Sequence, residues 1–125
     1  MNAQAYYQQL IALIGSVSSI VSSNVTFREI DETECYIKAM LTFATGHELH
    51  LAEYVTLDGM RIRRLKYRYQ LLTADKQMLP RWDNAPHHKN ISSFPYHRHD
   101  ARERAHPSVE MSPADVIAET LALIE

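Results

Sequence analysis

The sequence predicts an α+β fold: an antiparallel sheet of four to five strands with one N-terminal and one C-terminal helix, in a single domain over residues 1–125. Three observations predict it. Apolar residues recur at helical spacing near both ends, they alternate with polar ones through the middle, and short turn-rich segments separate the alternating runs. The length suits one domain of ordinary size, able to bury roughly two-thirds of its unfolded surface.

Tyr6, Leu10, Leu13, Ile14 and Val17 predict an amphipathic helix over 3–19, weakened at its end by Gly15 and the serine-rich run that follows. Ser22, Ser23 and Asn24 read as a turn. The period then changes to two. Cys35, Ile37, Ala39, Leu41 and Phe43 alternate with Tyr36, Lys38, Met40 and Thr42, as in a strand with one buried face. Val25–Ile30 and Leu49–Val55 are the expected neighbours, joined through turns at Asp31–Glu34 and Thr45–Glu48. Leu57-Asp58-Gly59 is a hairpin signal. From Arg61 to Leu72 one parity holds Leu65, Tyr67, Tyr69 and Leu71, and the other lines up Arg64, Lys66, Arg68 and Gln70 on one face. Met78–Asp83 is a last short strand, and residues 84–107, with Pro86, Pro95 and Pro107, read as an ordered excursion over the sheet. Ser112-Pro113-Ala114-Asp115 has the form of a capping box with proline at the first helical position, followed by an apolar stripe of Val116, Ile117, Leu121 and Ile124.

Composition removes several function classes. The single cysteine, Cys35, excludes an internal disulfide framework and a multi-cysteine zinc knuckle, and its place on the apolar parity makes it an inert core residue. Three glycines leave no Gly-rich nucleotide loop. No apolar run reaches the roughly 18 residues of a membrane span, and the start lacks a secretory signal's basic residues, so no membrane partner and a cytoplasmic location are expected. The formal net charge of −2 conceals a strong segregation. Residues 1–60 carry −5, residues 61–106 carry +7 with five of the seven histidines, and residues 107–125 carry −4. Such a cationic segment attracts phosphates or acidic protein surfaces unless the acidic ends of the fold pair with it.

Two clusters within that segment can carry chemistry: Arg81-Trp82-Asp83-Asn84-Ala85-Pro86-His87-His88 and Phe94-Pro95-Tyr96-His97-Arg98-His99. Histidine exchanges protons near neutrality, and arginine holds phosphate with a planar fork of donors. RNA cleavage needs that combination: a base for the 2′-hydroxyl, an acid for the leaving oxygen and a fixed cation for the charge growing on phosphorus. Blander readings stand beside it. The histidines suit an ordinary surface loop, His97 and His99 face the same way on an extended segment as a metal pair would, and Phe94 reads as an anchor onto the core. Asn84 reads as a turn former.

Tyr67-Arg68-Tyr69-Gln70 together with those two clusters resembles the TumE family of small bacterial and archaeal toxins, closely over about residues 60–100. The family pattern is matched by Arg81, Asp83, Asn84, His87, His88, His97 and His99, whereas Trp82, Tyr96 and Arg98 replace a usual tyrosine, histidine and lysine. The resemblance implies a toxin of a type II toxin–antitoxin module whose partner is a cognate antitoxin of helix-turn-helix type, with a homodimer left open.

The residues and the resemblance together lead to a metal-independent endoribonuclease without a cofactor, with its motif region at 61–106. His87, His88, His97, His99 and Asp83 form the expected catalytic set, with Asp83 orienting a histidine or pairing with an arginine. Arg81, Arg98, Arg68, Arg64 and Lys66 are the expected phosphate and RNA contacts. The alternatives are a module that binds nucleic acid or antitoxin without catalysis, and a toxin that transfers a group to tRNA or protein.

Overall fold

The computed structural model describes residues 1–86 and 88–125. Helix α1 (Ala3–Ser16) precedes seven strands, β1 (Ile20–Asp31), β2 (Glu34–Phe43), β3 (Glu48–Asp58), β4 (Arg61–Leu72), β5 (Met78–Asp83), β6 (His97–His99) and β7 (Ala105–Pro107), and helix α2 (Pro113–Ile124) closes the chain. The strands form one antiparallel sheet in sequential order, with β1 and β7 at its edges. The α+β class and both helices stand as expected. The strand number does not: the sheet has seven strands, not four to five.

The helix ends follow their caps. Asn2 accepts a hydrogen bond from the Ala5 N–H at 2.8 Å, which occupies one of the unpaired donors at the start of α1. At α2 the Ser112 hydroxyl accepts from the Asp115 N–H, and the Asp115 carboxylate accepts from the Ser112 N–H. Both helices pack on the same face of the sheet. Tyr7 of α1 stacks on Phe27 of β1, while Met111, entering α2, meets the hydroxyls of Tyr67 and Tyr69 on β4. Between helices and sheet lie Leu10, Ile14, Ile37, Leu41, Val55, Trp82, Val116 and Ile117 in one apolar core. Among the described residues no helix covers the opposite face of β1–β4.

Three departures from the expected layout have physical causes. The serine-rich stretch predicted to turn is the first half of β1, paired with β2 through Ser22↔Thr42 and Ser23↔Leu41. Small polar side chains suffice there because β1 is an edge strand and exposed. Within residues 84–107, two three-residue strands extend the sheet beyond β5, too short for any periodic signal. Finally, β4 is bulged at Leu65: Tyr54 pairs with Lys66, but Val55 pairs with Arg64. One extra residue reverses the facing of everything before it. Arg64 therefore leaves the face of Lys66 and Arg68 and enters the helix side.

Asn84 secures that bulge. Its side-chain oxygen accepts from the Tyr67 N–H at 2.9 Å, and its amide donates to the Leu65 carbonyl at 3.1 Å, so it serves backbone groups that the ladder leaves over. Gly59 supplies the positive φ of the two-residue β3–β4 hairpin, at +60°.

A buried histidine–aspartate cluster as candidate active site

Register places the site. On β5 and β6, Arg81 lies opposite His99 and Asp83 opposite His97, so these four side chains share one face. Arg68 of β4 is the cross-strand partner of Asp83, on the same helix-free side. The alternate residues Trp82 and Arg98 pair with each other and face the helices. Trp82 is thereby buried in the core, and Arg98 is separated from the cluster it was expected to join.

The three central groups are almost fully enclosed: His97 is 1% exposed, Asp83 4% and His99 5%. His88 reaches them from the loop after β5. Its φ of +58° lies in the left-handed region, which histidine tolerates better than most residues, and that turn brings its ring against both partners. The ring centroids lie 5.3 Å apart for His88–His97, 5.4 Å for His88–His99 and 4.8 Å for His97–His99. His87, the remaining expected catalytic histidine, lies outside the described residues.

Asp83 ties the cluster together. Its carboxylate is 2.6 Å from His97 Nε2 and 3.6 Å from His99 Nε2, accepts from Arg81 Nε at 2.9 Å, and accepts from the Ala85 N–H at 3.1 Å. It therefore both orients histidines and pairs with an arginine. Backbone carbonyls set the tautomers. His97 Nδ1 lies 3.0 Å from the Pro95 carbonyl and His99 Nδ1 3.4 Å from the Glu103 carbonyl. A carbonyl can only accept, so each Nδ1 carries its hydrogen and each Nε2 is turned toward Asp83. Burial, reinforced by the Arg81 guanidinium, pushes the His99 pKa below the ordinary histidine value. His99 is thus neutral at pH 7, with a lone pair on Nε2.

The expected cations divide by face. Arg81 is in the cluster, with Nη1 also 3.7 Å from the Glu103 carboxylate. Arg68 and Lys66 line the helix-free face. Arg64 instead donates to Glu53 at 3.2 Å and to the Tyr6 hydroxyl at 3.1 Å on the helix side. Glu53, 4% exposed, also accepts from Tyr6 and Tyr69 at 2.5 Å each. That buried polar knot gave no sign in sequence, because its members come from α1, β3 and β4. Phe94, expected as an anchor, is 41% exposed; Tyr96 holds the loop instead, stacked on Tyr67. The Pro95 and Glu103 carbonyls were also beyond sequence reading, since the role belongs to the backbone. Burial pushes the Cys35 thiol up to about 11, consistent with an inert core residue.

The arrangement suits two chemistries. Neutral His99 beside a histidine–carboxylate pair could serve as an acid–base set, with Arg81 as a fixed charge. Alternatively, His88, His97 and His99 each offer a ligand nitrogen within 4.8 Å of one another, a group that could hold a metal ion. Backbone-bonded Nδ1 atoms with Nε2 directed inward are also what metal-binding histidines use. Among the described residues no helix is long and apolar enough to cross a membrane.

A family model described as Toxin TumE matches residues 9–125. No curated protein matches, and no solved structure matches.

Proposed function

The chain belongs to the TumE toxin family, and on that premise we propose that it is the toxin of a type II module and arrests growth by cutting RNA at the Asp83–His97–His99 cluster. Membership implies an antitoxin partner; a helix-turn-helix antitoxin is part of the proposal. The observation that carries the reading is the convergence of three imidazoles from two stretches of chain, two of them on one buried carboxylate beside Arg81. In this reading His99 Nε2 takes the 2′-hydroxyl proton. As the 2′-oxygen bonds to phosphorus and the bond from phosphorus to the 5′-oxygen breaks, His97, held between the Pro95 carbonyl and Asp83, gives a proton from Nε2 to that leaving oxygen. Arg81, with Arg68 at the open side, faces the phosphate. Acid–base assistance of this kind is worth typically 10²–10⁴-fold.

The test is cleavage of labelled RNA by the purified chain, with and without chelator. Cleavage that persists in chelator and falls about 100-fold or more in His99→Gln supports acid–base chemistry without metal. A second reading is favoured by the spacing of the three ring nitrogens: cleavage lost in chelator, restored by a divalent transition metal and absent from His88→Gln would assign the cluster to metal. A folded preparation that cuts no RNA would remove both.

A further inference from the structure

We infer that the helix-free face of β1–β4 is a track that lays single-stranded RNA into the histidine cluster. The inference rests on the RNA-cleaving reading above and holds for either chemistry of cleavage.

Cross-strand register carries it. Thr26, Lys38, Ala52 and Arg68 are successive partners across β1–β4, and the same row continues into Asp83 of β5 and His97 of β6. Strands lie about 4.8 Å apart, so Lys38 and Arg68 sit about 10 Å from one another, and Arg68 one strand spacing from Asp83. A neighbouring row reads Arg28, Tyr36, Tyr54 and Lys66. The track therefore runs across the strands and ends at the cluster.

Its floor is hollow because Ala52 is small. One depression of about 460 Å³ is lined by Lys38, Met40, His50, Ala52 and Arg68, and a second of about 290 Å³ by Tyr36, Lys38, Tyr54, Lys66, Arg68 and Asn84. They share Lys38, Ala52 and Arg68, so they form one trough. Tyr36, 44% exposed, stacks on Tyr54 with ring centroids 4.7 Å apart, and Arg28 lies over Tyr36 at 5.9 Å. Among the described residues Lys38, Lys66 and Arg68 form no ion pair. Two carboxylates at the margins of this face are engaged: Glu34 accepts from Tyr54, and Glu48 pairs with Lys76 and His50.

Exposed aromatic rings beside unpaired cations are the elements of single-strand binding. Bases stack on the rings and phosphates follow the charges, without sequence preference. A duplex keeps its bases stacked inside and offers this face only phosphates. An acidic antitoxin segment would use the cations but leave the tyrosine pair and the continuity with Asp83 unexplained.

The test compares a ten-nucleotide single-stranded RNA, its duplex and a dinucleotide as substrates of the full chain. Tyr36→Ala and Lys38→Glu alter exposed positions and Ala52→Glu a half-buried one on the trough floor, and all three should leave the thermal midpoint unchanged. Each is expected to lower kcat/KM on the ten-nucleotide strand about 10-fold or more, with dinucleotide cleavage unaffected and the duplex cut poorly by every form. Variants that cut the long strand as well as the parent does would overturn the track while leaving the RNA reading intact. So would variants whose only loss is binding to the antitoxin. A folded parent that cuts none of the three RNAs would overturn both.

Discussion

Asp83 is the residue on which the others depend, because one carboxylate serves His97, His99, Arg81 and the Ala85 N–H at once. Asp83→Asn preserves shape but removes the negative charge between two imidazoles and a guanidinium. Single-turnover cleavage should fall about 100-fold or more, with retained secondary structure by circular dichroism; activity within threefold of the parent would strip Asp83 of its part. His99 adds a pH signature. Its folded pKa is lowered, whereas the unfolded chain takes up that proton near pH 6.5. As pH falls below about 6.5 the unfolded state gains the proton first, so stability is full above that value and drops beneath it. The urea midpoint should be lower at pH 5.5 than at pH 7.5, and His99→Gln should flatten the difference. That His97 and His99 point the same way could be anticipated from their spacing; that they face Asp83 could not, because the register of β6 against β5 sets it. The arrival of His88 could not, since a left-handed turn in an irregular loop leaves no pattern in residue types.

At the level of elements, one bulge decides what two faces of the sheet contain. Without the extra residue at Leu65, Arg64 would sit beside Lys66 and Arg68, as alternation predicts; with it, Arg64 closes a buried knot with Glu53, Tyr6 and Tyr69 that fastens α1 to the sheet. Alternation is legible in sequence, but a bulge is a backbone event, and only the partner strand's register reveals it. The three-residue strands β6 and β7 escaped for a related reason: three residues hold no period. The long strands β2 to β4 and the capped helix α2 were legible because each carries its own repeated or terminal signal. Two substitutions measure the knot and its brace. Glu53→Ala leaves Arg64 and two tyrosine hydroxyls without their acceptor and should cost about 3–5 kcal/mol by urea unfolding. Asn84→Ala strips the buried Tyr67 N–H of its partner and should cost about 1–3 kcal/mol. A loss under 0.5 kcal/mol in either would mean that the element is held elsewhere.

Across the whole molecule, folding sorts the charges that the sequence only segregates. The +7 segment spans β4 to β7, so alternation divides its cations between the helix side and the open side. Lys66, Arg68 and Arg81 fall to the open side, joined there by Lys38 from an otherwise acidic stretch; Arg64 and Arg98 fall to the other. Sequence reading therefore located the charge correctly and its distribution only in part. RNA affinity should record the sorting through its salt dependence, because each neutralised phosphate releases counterions and contributes about −0.7 to the slope of log affinity against log salt on a single strand. Lys66→Gln and Arg68→Gln together should flatten that slope by about 1.4, whereas Arg98→Gln, facing the helices, should leave it unchanged. Fluorescence anisotropy with a labelled single strand, titrated between 50 and about 200 mM salt, reads both at once. An Arg98→Gln slope as flat as that of the double variant would mean that the helix side, not the open face, meets the nucleic acid, and the sorting of cations by alternation would then have no bearing on where the substrate lies.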